Sequence, residues 1–355
     1  MVSGVESINF ELSYMYRSIL QTKEWATLKS KYGQTPHWLS DVLILEHKLP
    51  FGRCFLYVPE IDQVQLHDMD KKALDELAAK VGAVFTRVEI ATPASARQSY
   101  LDESLVGFHK SFEEVQPEHR RILELRHSEK EIFEQMKQKG RYNIRVAARH
   151  GVHVADYKSS SERRLESINH ELEFWGRSDD IKSAQDAAEH NTVATNVSPV
   201  ETFHRLYTDT TKREKIKGRS LDYFHDLVDI LGAKGYARVF IAYLRDTPLA
   251  AAVATFYEGV ASYLYGGSSR EHKEVMAPFA LHWVVIQEAK KRGCGLYDLL
   301  GVSPADANEK HKWAGLTRFK ENFGGQYVNI VGSYDKVHNP RFYKLFRIGE
   351  KLRGR

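Results

Sequence analysis

The feature that most constrains the fold is a run of five predicted elements in the second half of the chain. Three strand-like stretches come first, YARVFIAYLR, PLAAAVATFYEG and VASYLYGGSS, joined by turn residues at 245–248 and 258–259. The helical pattern APFALHWVVIQEAKKRG follows, with Pro278 near its first turn and Gly293 at its end, and the short apolar strand GLYDLLG closes the run. This order indicates an α+β domain.

The first half of the chain contains a similar order of patterns. The strand-like HWLSDVLILEHKL and RCFLYVPEI precede the helix DMDKKALDELAAKVG and the strand AVFTRVEI. The second round begins after the basic stretch with helical patterns in SSSERRLESINHELEFWGR, SPVETFHRLYTDTTKRE and DYFHDLVDILGAKG. We therefore expect a first domain at 1–154, a second at 155–330, and a return segment at 331–355 that packs on the first. The polar stretch 178–199 is predicted to be a mobile loop or a lid.

Composition and charge narrow the class of protein. The chain has 355 residues, 28% of them charged, and a formal net charge of +4, which is an ordinary globular balance. Any contact with nucleic acid therefore has to come from a local basic patch. Cys54 and Cys294 lack the spacing of a disulfide framework or a zinc site, so a reducing cytoplasm is expected. No stretch is apolar for long enough to span a membrane.

One basic patch is visible in the sequence. Between Glu134 and Asp156 there is no acid, and Arg141, Arg145 and Arg149 recur at four-residue spacing. In a helix these three side chains lie one above another and repel each other unless an anion neutralises them. The pattern predicts a site for tRNA phosphates or for the anionic head of a lipid-linked precursor, with a solvated helix face as the alternative.

The C-terminal stretch RFYKLFRIGEKLRGR mixes aromatic and aliphatic residues with cations. We predict a terminal helix that packs its apolar side on a domain. The alternative is contact with the inner face of the membrane, since apolar residues interleaved with Lys and Arg also suit a bilayer surface.

Five stretches together carry a resemblance to a known family: RYNIRVAARHGVHV, REKIKGRSLDYF, SYLYGGSSREHKEVMAPFALHWVVIQEAKKRGCGLYDLLG, FKENFGG and YDKVHNPRFYKLF. They resemble, in order, the signature segments of the Fem-type peptidoglycan bridge aminoacyltransferases, most closely the shorter members without a helical arm. The resemblance implies an α+β fold of two tandem GCN5-related acyltransferase-like (acyl-CoA N-acyltransferase) domains packed together. It also implies an aminoacyl-tRNA donor and a UDP-linked or lipid-linked muropeptide precursor as acceptor.

The chemistry of such a transfer indicates which residue types the site needs. Aminolysis of an ester needs a neutral amine, a nearby ester and a donor for the oxyanion of the tetrahedral intermediate, but no metal, cofactor or protein nucleophile. Lys320 in RFKENFGG is the predicted catalytic residue, and it resembles the family position that stabilises the transition state or the tRNA end. The alternative is a surface cation beside Arg318 and Lys312. A monomer is expected.

The resemblance also implies residues that bind the precursor. Arg219 in IKGRSLDYF resembles the arginine that grips the diphosphate, a task that suits its two-pronged guanidinium. Tyr223 lies beside it in the motif, and Lys29 is the nearest cation after Trp25, where the shorter members place a lysine. For Arg219 the alternative is helix capping or a salt bridge, and for Tyr223 a place in a helix interface.

Three further side chains complete the predicted site. Tyr263 and Tyr265 alternate along a strand, so both are expected to face the acyl-binding cleft, with sheet packing as the alternative. Glu89 in RVEI lies where the family often has an acid, and the resemblance implies that it orients or deprotonates the attacking ammonium. We expect Lys320 and Arg219 to share one groove.

Two other functions are compatible with these patterns. An N-acyltransferase that uses coenzyme A or another thioester is one, although the loop GGSSREHKEVMAP lacks the tight glycine spacing that holds a pyrophosphate. The other is a noncatalytic module that binds tRNA or precursor, against which the presence of both Lys320 and Arg219 argues.

Overall fold

The computed structural model describes residues 17–95, 98–161 and 197–352. All but the first three residues of the predicted helix SSSERRLESINHELEFWGR, and most of the predicted loop or lid at 178–199, lie outside these residues. Within the described ranges, no helix has both the length and the apolar composition to cross a bilayer.

The helices and strands follow one another in three groups. The first group comprises α1 (Lys23–Lys31), β1 (Thr35–Leu39), β2 (Val42–Leu49), β3 (Arg53–Ile61), α2 (Gln63–Asp68), α3 (Lys71–Val81), β4 (Ala83–Pro93), α4 (Gln98–Ser104), β5 (His109–Lys110) and β6 (His119–Glu124). The second comprises α5 (Glu129–Gln135), α6 (Gln138–Arg149), β7 (Val152–Tyr157), α7 (Pro199–Glu214) and α8 (Leu221–Gly232). The third comprises β8 (Ala237–Leu244), β9 (Thr247–Tyr257), β10 (Val260–Ser268), α9 (Ala277–Lys291), β11 (Leu296–Gly301), α10 (Ala314–Glu321), β12 (Gln326–Val337) and α11 (Pro340–Leu352).

These elements form two compact units. Unit 1 consists of Met1–Arg120 and Tyr327–Arg355, and unit 2 of Arg121–Gln326. The division differs from the predicted boundaries at 154 and 330. The reason is that α5, α6 and β7 contribute apolar side chains to the core of unit 2, among them Phe133, Ile144 and Val154.

Unit 1 is built on the strand order β1-β2-β3-β4-β12. β1, β2 and β3 are antiparallel neighbours, β4 lies parallel to β3, and β12 lies antiparallel to β4. Helices α2 and α3 make the crossover between the parallel strands. The Asp62 side chain caps α2 and Asp70 caps α3, while Gly82 ends α3 in the left-handed conformation at φ +67°.

The C-terminal return is fixed to unit 1 by polar and aromatic contacts. Arg87 of β4 forms a bidentate ion pair with Asp335 of β12, at 2.7 and 2.8 Å, and Tyr343 of α11 donates a hydrogen bond to the same carboxylate at 2.7 Å. The ring centroids of Phe346 and Phe85 lie 5.0 Å apart. The aromatic residues of the C-terminal helix thus pack on unit 1.

Unit 2 contains the predicted meander, helix and strand. Its strand order is β7-β8-β9-β10-β11, in which β7 to β10 are antiparallel neighbours and β11 lies parallel to β10 after the crossover through α9. Side chains of one sheet face, such as Phe240 and Ala254, enter the core formed with α6 and α9. Helices α7 and α8 cover the other face, where Val239 and Val253 are buried.

Candidate active site in unit 2

The two parallel strands of unit 2 separate where the candidate site begins. β10 and β11 pair over Val260–Ser262 and Leu296–Asp298, and each strand then continues, to Ser268 and Gly301. Beyond Asp298 the β11 backbone turns, with Leu300 at φ +57° and its N–H donating to the Asp298 carboxylate at 2.7 Å. The end of β11 is thereby shaped to present the Gly301 carbonyl.

Lys320 reaches this point from α10. Its side chain is only 3% exposed, and its Nζ donates a 2.6 Å hydrogen bond to the Gly301 carbonyl oxygen. The same Nζ lies 5.9 Å from the ring centroid of Tyr263 on β10. The alternative of a surface cation is therefore wrong, because the amine lies inside unit 2 between the two separating strands.

The surroundings of Lys320 make its charged form costly. Burial lowers the pKa of this lysine to about 7, and the nearby Asp298 carboxylate opposes that shift only in part. An amine with this pKa is present in both protonation states near neutral pH. A group of this kind can give and take a proton in the working range of an enzyme.

A buried histidine that the sequence analysis did not single out lies next to this lysine. His282 of α9 is 4.6 Å from Tyr263 between ring centroids, and its Nδ1 hydrogen-bonds with the Tyr297 hydroxyl at 2.9 Å. Burial, and secondly Lys320, lower the pKa of His282 to about 3, so its ring stays neutral. The only signal in the sequence was one histidine inside the apolar pattern APFALHWVVIQ.

Tyr263 and Tyr265 do not face one cleft, so that prediction is wrong. On β9, Ala254 is the partner of Tyr263 and Val253 the partner of Tyr265, so two steps along β10 match one step along β9. This β-bulge at Leu264 reverses the alternation of side chains. Tyr263 consequently packs on the α9 side of the sheet and Tyr265 on the α7 and α8 side.

The two glycines that follow the bulge allow close packing on both faces. A Cβ on Gly266 would lie 1.8 Å from the Tyr263 hydroxyl, and a Cβ on Gly267 would lie 2.4 Å from the Leu206 carbonyl oxygen of α7. The motif SYLYGGSS therefore lets one aromatic ring and one helix backbone approach the same strand from opposite sides.

Arg219, Tyr223 and Tyr265 form a second group on the α7 and α8 side. The exposed guanidinium of Arg219 lies 5.3 Å from the centroid of the Tyr223 ring, and the hydroxyls of Tyr223 and Tyr265 are 3.2 Å apart. Tyr207 of α7, which the sequence analysis missed, accepts a hydrogen bond from the Arg219 backbone N–H at 3.3 Å. Ser220 caps α8, so the helix-capping alternative does not apply to the Arg219 side chain.

The predicted basic stripe is helical, as expected. α6 carries all three arginines, but their surroundings differ. Arg141 donates to the backbone carbonyls of Glu134, at 2.9 Å, and Met136 at the end of α5. Arg145 lies over the Phe133 ring at 5.1 Å, and the exposed Arg149 lies 5.8 Å from the Tyr142 ring. The partial negative charge of the α5 carbonyls thus offsets part of the positive charge of the three arginines, for which the sequence analysis expected an external anion.

The remaining two predicted residues belong to unit 1. Lys29 of α1 lies over the Trp25 ring, with 4.4 Å from Nζ to the centroid. Glu89 of β4 is buried and accepts hydrogen bonds from the Tyr57 hydroxyl, from the Gln116 N–H at 2.7 Å and from the Ser333 hydroxyl at 3.2 Å. Burial raises the pKa of Glu89 to about 7. Three donors already occupy its oxygens.

No metal centre is evident in the described part of the chain. Within it, no group of three or more His, Cys, Asp or Glu side chains is arranged to hold an ion.

The sequence model described as "FemAB family" matches this chain at residues 102–247 and 242–351, which is more than half of its length. The chain belongs to the FemAB family. The matched region includes the Lys320 group, the Arg219 group and the arginines of α6.

Curated relatives of this FemAB family member are similar over a shorter stretch. Aminoacyltransferase FemB of Staphylococcus epidermidis is 31% identical over 94 residues, and aminoacyltransferase FemA of the same species is 29% identical over 91 residues. Each match covers 26% of this chain and 22% of the relative. The aligned part is therefore about a fifth of the length of these relatives.

Solved structures extend the fold similarity of this FemAB family member to nearly the whole chain. The crystal structure of FemX matches 97% of this chain and 98% of its own, with a TM-score of 0.73 and 17% identity. L-PGS from Bacillus licheniformis matches 86% of this chain and 84% of its own, with a TM-score of 0.50 and 15% identity. The predicted Fem-type family is confirmed, and so is the predicted α+β class, in a fold that this chain shares with FemX.

Proposed function

We propose that this protein transfers an amino acid from aminoacyl-tRNA to a stem-peptide amine of a UDP-linked or lipid-linked peptidoglycan precursor. The observation that carries the proposal is Lys320, a buried amine with a pKa of about 7 where β10 and β11 separate. Membership of the FemAB family and the names of the relatives FemA and FemB support the substrate class. Because charged tRNA is the donor, we place the reaction in the cytoplasm, with no cofactor required.

Lys320 supplies the proton chemistry in this proposal. The acceptor ammonium loses one proton to neutral Lys320, and the free amine attacks the ester carbonyl carbon of the aminoacyl-tRNA. The C–N bond forms, the ester C–O bond breaks, and the oxyanion of the intermediate is stabilised by the lysine in its protonated form. Of the three protons of the original ammonium, one stays on the amide nitrogen, one is taken up by the departing ribose oxygen and one is released. The products are therefore the amide, the free tRNA hydroxyl and one proton.

The Arg219 group is assigned to the acceptor. The exposed guanidinium of Arg219 can donate two hydrogen bonds to one phosphate of the precursor diphosphate, and the Tyr223 and Tyr265 hydroxyls lie beside it. This group and Lys320 lie on opposite faces of the sheet. The structure thus places the two predicted partners of one groove on different sides of the sheet. We propose that the acceptor amine reaches Lys320 between β10 and β11, beyond Ser262 and Asp298 where the pairing of these strands ends.

The arginines of α6 are assigned to tRNA binding, but the three side chains differ in their roles. Arg149 is exposed and Arg145 is half-buried, and both are proposed to contact phosphates, whereas Arg141 is held by the carbonyls at the end of α5. Lys29 stays a prediction for the precursor. Glu89 is better explained as a buried structural group, because its oxygens already accept three hydrogen bonds.

Coenzyme A is a poorer donor for this site. The loop before α9 contains a 3₁₀ turn at Lys273–Val275, and Met276 precedes the helix in a left-handed conformation without a side-chain cap. The adjoining surface depression, about 400 Å³ in volume, has Asp209 and Glu271 in its lining. Arg213 and Arg270 line it as well, so the charge of this lining neither favours nor excludes a pyrophosphate. A noncatalytic binding module is disfavoured because binding alone does not explain a lysine buried at an energetic cost.

The decisive experiment is a transfer assay with charged tRNA and both precursor forms, with the product identified by mass spectrometry. We expect Lys320→Ala to lower kcat by about 10²–10³-fold and Arg219→Ala to raise the KM of the acceptor. Lys312→Ala and Arg245→Ala, both at exposed positions, are the matched controls. Absence of product with every charged tRNA and a folded protein would contradict the proposal, and wild-type rates in both site variants would contradict the assignment.

A further inference from the structure

The C-terminal helix α11 has two faces of different character. The inner face packs on unit 1 through rings, with Phe346 against Phe55 and Phe85 and with Tyr343 against Phe85. The Tyr343 hydroxyl also donates to the buried Asp335. One side of the helix therefore makes its packing contacts with unit 1. The other side does not take part in this packing.

The outer face of α11 carries large aliphatic side chains in solvent. Leu345 is 62% exposed, Ile348 is 47% exposed and Leu352 is 84% exposed. Their spacing of three and four residues places them in one row along the helix. A single exposed leucine needs no explanation, but a row of three on one helix face indicates an interaction surface.

The charges around this row have one sign. Arg341, Lys344 and Lys351 are exposed on the outer face, and the only acid of the helix, Glu350, is buried. In a helix that simply faced water, acids would be expected among these cations. The outer face of α11 is therefore both apolar and cationic.

A second exposed apolar group adjoins the first turn of α11. The Arg53 guanidinium lies 4.5 Å from the centroid of the Phe342 ring, and Phe51 is two residues before Arg53, in the turn between β2 and β3. Phe51 is 93% exposed and adopts a left-handed backbone conformation at φ +62°. An aromatic residue at the tip of a surface turn suits insertion into the interfacial region of a bilayer.

We propose that the outer face of α11, together with the Phe51 turn, binds the surface of a membrane that contains anionic lipid. The aliphatic row enters the boundary between head groups and acyl chains, and the cations contact the anionic head groups. A second copy of the chain is a worse occupant, because two such cationic faces repel each other. The surface belongs to unit 1 and the inference does not depend on the transferase reaction.

The test uses the full chain and sedimentation with lipid vesicles. Vesicles of phosphatidylcholine with about 30% phosphatidylglycerol are compared with pure phosphatidylcholine, at about 0.1 M and 0.5 M salt. We expect binding only to the anionic vesicles, and weaker binding at high salt. The triple variant Leu345→Gln, Ile348→Gln, Leu352→Gln should lower the partition constant by more than about tenfold. Lys344→Ala with Lys351→Ala should lower it by about tenfold to thirtyfold.

Matched controls distinguish binding by this surface from nonspecific adsorption of the protein to vesicles. Val106→Gln removes an exposed apolar side chain elsewhere in unit 1, and Lys72→Ala with Lys80→Ala removes two exposed cations from α3. Both controls should bind vesicles like the wild type. Failure of the folded wild type to bind anionic vesicles would overturn the proposal, as would equal losses in variants and controls. Self-association that the triple variant abolishes, without vesicle binding, would instead identify a contact between copies of the chain.

Discussion

Tyr263 and Tyr265 lie on opposite faces of β10, although only one residue separates them. The bulge at Leu264 turns the first ring toward His282 and Lys320 and the second toward Tyr223. One short stretch of strand thus supplies an aromatic side chain to each of the two proposed substrate sites.

This arrangement predicts separate kinetic effects for two similar substitutions. Tyr263→Phe keeps the ring beside His282 and removes the hydroxyl of a ring whose centroid lies 5.9 Å from the Lys320 Nζ, so we expect a lower kcat. Tyr265→Phe removes the hydrogen bond to Tyr223, so we expect a higher acceptor KM. Each change should be roughly threefold to thirtyfold, the value of about one hydrogen bond. Steady-state kinetics measures both constants, with Tyr236→Phe as control. If both variants alter the same constant, the assignment of the two faces is wrong.

Replacing Lys320 by methionine should lower kcat as Lys320→Ala does and should stabilise the protein. The folded-state pKa of about 7 lies below the unfolded value of 10.5, so the folded state binds fewer protons between these limits and stability rises with pH there. The penalty for burying the ammonium is therefore largest below pH 7 and vanishes above pH 10.5. We expect the stabilisation by Lys320→Met to be roughly 3 kcal/mol smaller at pH 9.5 than at pH 7.

Urea unfolding at the two pH values gives this difference directly. Lys310→Met, at an exposed position, is the matched control and should show no such pH dependence. An unchanged difference between wild type and Lys320→Met across this range would show that the lysine is not charged at a cost in the folded state.

His282 should contribute to acid unfolding. Its pKa is about 3 in the folded protein and 6.5 when unfolded, so the folded state binds fewer protons in that window and stability falls as the pH drops below 6.5. Between pH 8 and pH 5 the wild type should lose about 2 kcal/mol more than His282→Gln, which keeps a partner for Tyr297. Unfolding curves at both pH values measure the difference, and His109→Gln at an exposed position controls for the loss of a histidine.

Gly140 and Gly315 offer a matched test of helix packing. A Cβ on Gly140 in α6 would lie 2.1 Å from the Asn322 carbonyl oxygen, whereas a Cβ on Gly315 in α10 would meet nothing within 4 Å. We expect Gly140→Ala to destabilise the protein by about 2–3 kcal/mol because backbone has to move. Gly315→Ala should stabilise it by up to about 1 kcal/mol. Thermal and urea unfolding test both, and equal effects would contradict this account of α6 packing.

The elements with strong periodicity were predictable from the sequence. The α6 helix followed from the spacing of its arginines, and the β8 to β11 region followed from alternating strands, turn residues and the glycine after α9. Local patterns of this kind depend on neighbours a few residues apart. Such elements can therefore be predicted from the local sequence without knowledge of the rest of the fold.

The parts that were not predicted depend on contacts between distant residues. The bulge at Leu264 is defined only by pairing with β9, and simple alternation gave the wrong face for Tyr265. The hydrogen bond between His282 and Tyr297 joins a helix to the strand that follows it, and no regular spacing of residues in the sequence predicts this contact. Likewise, the end of unit 1 at Arg120 reflects which core the later helices enter.

The division of the chain has a consequence for synthesis. Unit 2 is one continuous segment, Arg121–Gln326, but unit 1 needs residues from Tyr327 onward, including Asp335, the partner of the buried Arg87. On a ribosome, unit 2 can fold as it emerges. The N-terminal segment has to wait for a further 207 residues, from 121 to 327, or roughly 10–40 s of translation. During that interval the guanidinium of Arg87 can pair with Glu113 but not with Asp335, so the nascent N-terminal part is the portion with most need of a chaperone.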